Sequence, residues 1–92
     1  MIAIYAIRTE GGSGHEHVSA VRWRDPDTYE EGESTSSEVI QWLRRDATAN
    51  RAYVCGSSGS LTRVGIEDGR PPYLRAFGEH AWNDDLLALP RF

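Results

Sequence analysis

The residues best suited to chemistry come early in the chain, where Gly11-Gly12-Ser13-Gly14 precedes His15-Glu16-His17. Imidazole nitrogens ligate metal ions and exchange protons near neutral pH. Backbone N–H groups in a glycine-rich turn can converge on an anion. Because few other stretches combine such groups, this one is the first candidate for a functional site.

A metal site is the first chemistry that these residues suggest. Side chains two apart on a strand point the same way, so alternation places His15 and His17 on one face with Val21 and Trp23. There the two imidazoles could share a zinc ion. In the other interpretation, both histidines only satisfy hydrogen bonds at a sheet edge. We therefore predict no cofactor, with a zinc ion bound by His15 and His17 as the alternative. A third zinc ligand would come from residues without a diagnostic spacing, namely His80, Cys55, Asp84 or Asp85.

Anion binding is the second chemistry. The glycine turn could form a backbone cradle for a phosphate, with charge added by histidines and arginines. The run lacks the following helix and lysine of a nucleotide-binding P-loop, and a plain hairpin loop is the alternative. On this hypothesis the ligand-binding residues are Gly12, Gly14, His15, His17, Arg22 and Arg24.

Groups suited to catalysis carry weaker signals elsewhere in the chain. Cys55 lies in a short apolar stretch, where cysteines behave as small hydrophobic residues. The serines that follow it precede no helix that would make a nucleophile elbow. We therefore predict no catalytic residue.

Large aromatic and arginine side chains indicate a third use, protein recognition, because these residue types dominate the energetics of interfaces. The alternative is that Trp23 and Trp82 fill a small core. The interface candidates are Trp23, Tyr73, Arg75 and Trp82.

Composition excludes some classes of function. The 92 residues suit a single domain. The net charge of −4 argues against a nonspecific nucleic-acid binder, which needs clustered positive charge. No apolar run approaches the roughly 20 residues of a membrane-spanning helix. With a single cysteine and no signal-peptide pattern at the N-terminus, the chain is expected to be cytoplasmic and to have no membrane partner.

Hydrophobic periodicity predicts the elements that would position these residues. Thr35-Ser36-Ser37-Glu38 fits a capping box, and apolar residues then recur at helical spacing, which predicts one helix from Ser36 to Ala47. The polar run from Asp25 to Ser34 predicts a surface loop. The order ββαβββ predicts an α+β fold, a small curved antiparallel sheet of about five strands packed on a single α-helix. The predicted strands are 2–8, 17–24, 51–55, 61–67 and 73–77.

The C-terminal stretch from Asp84 to Phe92 is too apolar for a free tail. It is expected to pack on the sheet or on a second subunit. Aromatic residues are also in surplus for one small core, so a homodimer is expected.

Four stretches together resemble a known family of small bacterial proteins, the domain-of-unknown-function family 3892. They are GGSGHEHVSAVRW, STSSEVIQWL, PPYLRAF and WNDDLLALPRF, and they cover nearly the whole chain in order. The resemblance implies a stand-alone domain of bacterial or phage origin. It implies no activity, cofactor or catalytic residue.

The residues therefore favour a non-catalytic binding module that recognises a protein partner or a small ligand. The first alternative is a small metal-dependent or acid–base enzyme centred on His15 and His17. The second is an accessory protein that sequesters a nucleotide or phosphate through the glycine turn and its arginines.

Overall fold

A computed structural model of the chain describes residues 1–55, 61–78 and 81–92, without the side chain of Cys55. The described part contains one α-helix, a short 3₁₀ helix at His15–His17 and seven strands. The connection between the predicted strands 51–55 and 61–67, and residues 79–80, lie outside the described residues. The helix is α1, Ser36–Arg45, and the strands are β1 Ile2–Thr9, β2 Val18–Arg24, β3 Glu31–Thr35, β4 Ala52–Cys55, β5 Leu61–Glu67, β6 Tyr73–Phe77 and β7 Trp82–Asn83.

The sheet has the strand order β3-β2-β1-β4-β5-β6-β7. The α+β class is confirmed, whereas the prediction of about five strands in a purely antiparallel sheet was wrong. β1 and β4 run parallel, with Ile2 opposite Ala52 and Ile4 opposite Val54. The reason is that α1 crosses over between β3 and β4, and a crossover brings the chain back beside β1 in the same direction.

The strand β3 corrects the prediction of a continuous loop from Asp25 to Ser34. Its five residues pair with β2, so that Glu31 lies opposite Arg24 and Glu33 opposite Arg22. Polar residues and a glycine hide such a strand from a hydrophobicity pattern. Cross-strand ion pairs on the exposed face and the packing of Trp23 against Gly32 stabilise it instead.

The helix begins as predicted and ends earlier. Thr35 Oγ1 accepts from the Glu38 N–H at 3.1 Å, and the Glu38 carboxylate accepts from the Thr35 N–H at 2.8 Å, which confirms the capping box. The helix ends at Arg45 rather than Ala47, because Asp46 leaves helical geometry. Its buried face packs on the apolar face of the sheet to form the core, which includes Val39, Ile40 and Leu43 from the helix and Ile4, Ile7, Val21, Val54, Val64 and Leu74 from the strands.

The predicted strand through His17 also needs correction. His15–His17 form a turn of 3₁₀ helix, and β2 starts at Val18. The alternation that placed both histidines on the face of Val21 and Trp23 therefore does not apply to them. This turn contacts β6, although three other strands separate β2 from β6 in the sheet, so the sheet is curved.

The C-terminal stretch packs on the sheet, which is one of the two arrangements predicted for it. Leu86 is fully buried in the core. The backbone N–H of Ile7 donates to Pro90 O, and that of Phe92 donates to Ile7 O. In the part of the chain that the structure describes, no helix is long and apolar enough to cross a membrane.

Candidate functional site

The glycine turn makes room for the side chains that follow it. Gly11 has a φ of 76°, which favours glycine. A Cβ at Gly12 would overlap the His17 ring, and one at Gly14 would overlap the Glu16 carboxylate. His17 Nε2 lies 3.5 Å from Glu16 Oε1. The space above the turn is thus filled by protein groups rather than left as an open cradle.

The segment 10–17, which joins β1 to β2, is called the hairpin mouth. His15 in this segment belongs to a polar cluster, the His15 cluster, formed by His15, Glu67, Tyr73, Arg75 and Asp84. Arg75 holds it together, with guanidinium nitrogens 3.3 Å from Glu67 Oε1 and 3.3 Å from Asp84 Oδ1. His15 Nε2 lies 3.8 Å from the same Asp84 oxygen. The cluster therefore contains two carboxylates that share one guanidinium of the protein.

Burial dominates the chemistry of the His15 cluster. His15 is only 7% exposed, and its Nε2 and Glu67 Oε2 have no hydrogen-bond partner among the described residues. Burial lowers the pKa of His15 below its usual value, and the positive charge of Arg75 lowers it further. The nearby Glu67 carboxylate raises the pKa of Tyr73. His15 is thus kept neutral at physiological pH.

The structure separates the predicted ligand-binding residues into two groups. Gly12, Gly14 and the histidines lie at the hairpin mouth. Arg24 is six residues further along β2 than Val18, which corresponds to roughly 20 Å at about 3.3 Å per residue. Arg22 pairs with Glu33 and lies over the Phe92 ring, while Arg24 pairs with Glu31. The two arginines are therefore engaged on the exposed face of the sheet, away from the glycine turn.

A concave site lies at the opposite end of β2 from the hairpin mouth. It is a cavity of about 260 Å³ between the helix and the β2–β3 hairpin. We call it the tryptophan pocket. Its lining consists of two indoles, three carboxylates, a hydroxyl and two aliphatic side chains: Trp23, Trp42, Asp25, Glu30, Glu38, Ser34, Ile2 and Val39.

Two elements position the indoles of this pocket. The Trp23 ring packs against Gly32, where a Cβ would lie 2.5 Å from the ring, so only glycine leaves room for it. The Trp23 Nε1–H donates to Ser34 Oγ at 3.0 Å. Glu38 and Trp42 are four residues apart on α1 and therefore share one helix face.

Local hydrogen bonds fix two of the three carboxylates and keep them ionised. The backbone N–H groups of Asp27 and Thr28 donate to Asp25 Oδ1 at 2.8 and 3.3 Å. These bonds, together with the positive charge of the N-terminal amine, lower the pKa of Asp25, and the bonds from Thr35 lower the pKa of Glu38. None of the eight described residues that line the pocket is basic. The pocket therefore presents negative charge beside aromatic surface.

Comparison with known proteins addresses the identity of the chain. A family model described as "Protein of unknown function (DUF3892)" matches residues 3–90. The chain belongs to this family. No curated protein and no solved structure matches it. Membership of DUF3892 confirms the resemblance seen in the sequence, and the site must be judged on its own chemistry.

The remaining predicted residues of this DUF3892 chain have separate surroundings. Trp82 packs edge-on against Phe77, with ring centroids 5.2 Å apart, and lies over Gly65. Tyr73 and Arg75 belong to the His15 cluster, and only Trp23 of the four interface candidates lines the tryptophan pocket.

Among the described residues, no three His, Cys, Asp or Glu side chains are grouped to hold a metal ion. His80 and the Cys55 side chain, two of the predicted third ligands, lie outside the described residues.

Sequence reasoning missed Trp42, Asp25, Glu30 and Glu38 as members of one site. One usable signal was present: Glu38 and Trp42 have the i, i+4 spacing that brings side chains together on a helix. The contribution of Asp25 and Glu30 depends on β3, because only that strand folds the acidic run back toward the helix.

Proposed function

We propose that this protein is a non-catalytic binding module whose ligand enters the tryptophan pocket. The ligand is a small molecule or one side chain of a protein partner. The observation that carries this proposal is the coincidence, in one cavity, of two indoles with carboxylates that have no basic neighbour in the lining. Binding sites are typically concave, largely apolar and equipped with a few placed polar groups.

The hairpin mouth supports the alternatives less well. Both imidazoles face protein carboxylates, and His15 is buried. A metal-dependent or acid–base enzyme needs such groups within reach of a substrate. A phosphate-sequestering protein needs arginines near the glycine turn, and Arg22 and Arg24 lie away from it.

A bacterial or phage origin, a cytoplasmic location and a homodimeric state belong to the same proposal. The family resemblance supports the first and the single cysteine supports the second. Exposed Tyr5 and Phe77 support the third, because each ring is 43% exposed.

A nuclear magnetic resonance screen tests the proposal. Each of the three tryptophans contributes one indole N–H signal, which single Trp→Phe variants assign. Compounds of cationic, neutral and anionic classes are added in turn. We expect ligands to shift the Trp23 and Trp42 signals together and to leave Trp82, which lies outside the pocket, unchanged. If every active compound moves Trp82 alone, or if none moves any indole, the proposed function is wrong.

A further inference from the structure

We infer that the tryptophan pocket binds a small organic cation, an alkylated ammonium group, against its two indoles and its three carboxylates. This inference rests on the proposed function and names the ligand class of the same site. It is carried by the charge, the aromatic lining and the size of the pocket.

Charge is the first argument. Asp25, Glu30 and Glu38 line one small cavity that has no basic residue among its described lining. Elsewhere on the described surface, Arg22 and Arg24 are paired with Glu33 and Glu31. A cation would offset the repulsion among the pocket carboxylates, a neutral ligand would leave it in place, and an anion would increase it.

The carboxylates are also oriented before any ligand arrives. The described hydrogen bonds use one oxygen of each, Oδ1 of Asp25 and Oε1 of Glu38. The second oxygen of each accepts none of the described hydrogen bonds. A ligand therefore does not need to order these side chains, which reduces the entropic cost of binding.

The indoles select an organic cation over a metal ion. A cationic group over the face of a tryptophan is attracted by the negative potential of the ring, and tryptophan is the strongest of the aromatic partners. Hard metal ions prefer a shell of oxygen ligands and gain nothing from an indole. Methyl groups on nitrogen, by contrast, spread the charge over an apolar surface that packs on Trp23 and Trp42.

Size suits a single small head group. Sites for drug-sized molecules usually measure about 300–1,000 Å³, and this cavity measures about 260 Å³. A trimethylammonium group fits this volume, whether it belongs to a free molecule or to a methylated side chain.

Choline and its uncharged carbon isostere, 3,3-dimethylbutan-1-ol, test the inference directly. The two compounds share a shape and differ in charge. We expect choline to shift the Trp23 and Trp42 indole signals with a dissociation constant of about a millimolar, as suits so few atoms. We expect the isostere to bind at least about tenfold more weakly, and added salt to weaken choline alone.

Isosteric variants locate the effect. Asp25→Asn keeps a side-chain oxygen for the Asp27 and Thr28 N–H groups, and Glu38→Gln keeps the capping box, so both retain the fold. Each is expected to weaken choline binding about threefold to tenfold, because each removes one charge near the cation. Glu33→Gln removes the same charge outside the pocket and is the matched control, with binding expected to stay within about twofold.

Three results would overturn the inference. Equal affinity for choline and its isostere would contradict a cation site, while leaving the pocket and the proposed function intact. An equal loss in Glu33→Gln and Glu38→Gln would mean that choline responds to the net charge of the protein rather than to the pocket. If choline shifts neither the Trp23 nor the Trp42 indole signal in the folded protein, the inference is also wrong. If no compound of the broader screen shifts either signal, the proposed function is wrong as well.

Discussion

The tryptophan pocket and the His15 cluster both gather carboxylates beside aromatic residues, and they differ in what balances the charge. In the His15 cluster, Arg75 lies between Glu67 and Asp84 and contacts both. In the tryptophan pocket, no described lining residue is basic. In the first region a side-chain cation of the protein offsets part of the carboxylate charge, whereas the lining of the second supplies carboxylates alone and leaves more negative charge for a ligand to offset.

The two regions also differ in how far their charged groups are buried. His15 is buried and its neighbours Glu67 and Arg75 are mostly buried, although Asp84 is exposed. In the tryptophan pocket, Glu30 and Glu38 are both exposed. Ionised groups that pair inside the protein hold elements together, here β5, β6 and the C-terminal stretch. Ionised groups that line an open cavity are accessible to a ligand. On the proposed function, the same residue types thus serve structure in one region and recognition in the other.

The largest expected effect follows from removing the balancing charge of the His15 cluster. Arg75→Met leaves the Glu67 carboxylate mostly buried and unpaired. Breaking a buried pair costs about 3–5 kcal/mol, and the partial exposure of Arg75 reduces this to about 2–3 kcal/mol of unfolding free energy. Urea denaturation measures it. Arg24→Met, which breaks an exposed pair with Glu31, is the control and should destabilise the protein much less than Arg75→Met.

An effect of similar size from Arg24→Met would contradict the distinction between buried and exposed pairs. Choline binding should survive Arg75→Met if the two regions are independent. Loss of binding in that folded variant would mean that the regions are coupled.

The second prediction concerns the wall of the tryptophan pocket. In Gly32→Ala, the added Cβ would lie 2.5 Å from the Trp23 ring, so the indole must move. The hydrogen bond to Ser34 opposes this movement, and overpacking of this kind costs about 1–3 kcal/mol. The Trp23 indole signal should shift in the free protein and choline affinity should fall.

A second glycine that supports an indole provides the control. A Cβ at Gly65 would lie 3.3 Å from the Trp82 ring, so Gly65→Ala needs only a small adjustment and should cost less than about 1 kcal/mol. Choline affinity should not change. If Gly65→Ala weakened choline binding as much as Gly32→Ala, the site would not be confined to the tryptophan pocket.

A smaller effect is expected at the start of the helix. Thr35→Ala removes the oxygen that caps the Glu38 N–H and should cost about 1 kcal/mol. It also removes a hydrogen bond that lowers the pKa of Glu38. The carboxylate should therefore titrate closer to its ordinary value and be less well oriented for a cation. Thr35→Ser retains the hydroxyl and should behave like the natural protein in urea denaturation and in choline titration.

Much of the fold could be predicted because local chemistry decided it. The capping box at Thr35 and the strands at 61–67 and 73–77 need only short-range patterns. The strand β3 could not be predicted, because its stability comes from cross-strand pairs such as Arg24 with Glu31 and not from its own hydrophobicity. The parallel pairing of β1 with β4 depends on the path of the whole chain.

The candidate site was harder to predict than the fold. Alternation failed at His15 and His17 because a 3₁₀ turn replaces the start of the predicted strand. The glycines before it accommodate the His17 ring and the Glu16 carboxylate, which only the fold reveals. Trp23 was identified as a recognition residue from its type alone. Most of its partners in the tryptophan pocket come from the helix and from the unpredicted strand β3 with the segment that precedes it.

The last prediction uses pH to distinguish His15 from the pocket carboxylates. Burial, together with Arg75, lowers the pKa of His15 in the folded protein, so below its ordinary value near 6.5 the unfolded chain binds more protons than the folded one. The stability contributed by neutral His15 is fully present above pH 6.5 and is lost as the pH falls toward the lower pKa of the folded state. Urea denaturation at several pH values from 7.5 downward should show this decline in the natural protein, and His15→Gln should flatten it. His17→Gln should leave the decline in place, because the surroundings of His15 are unchanged. Asp25 and Glu38 of the pocket, whose pKa values are lowered, stay ionised through this range, so choline affinity should hold while stability falls. A parallel loss of choline affinity between pH 7.5 and 6 in protein that is still folded would contradict the separation of the two regions.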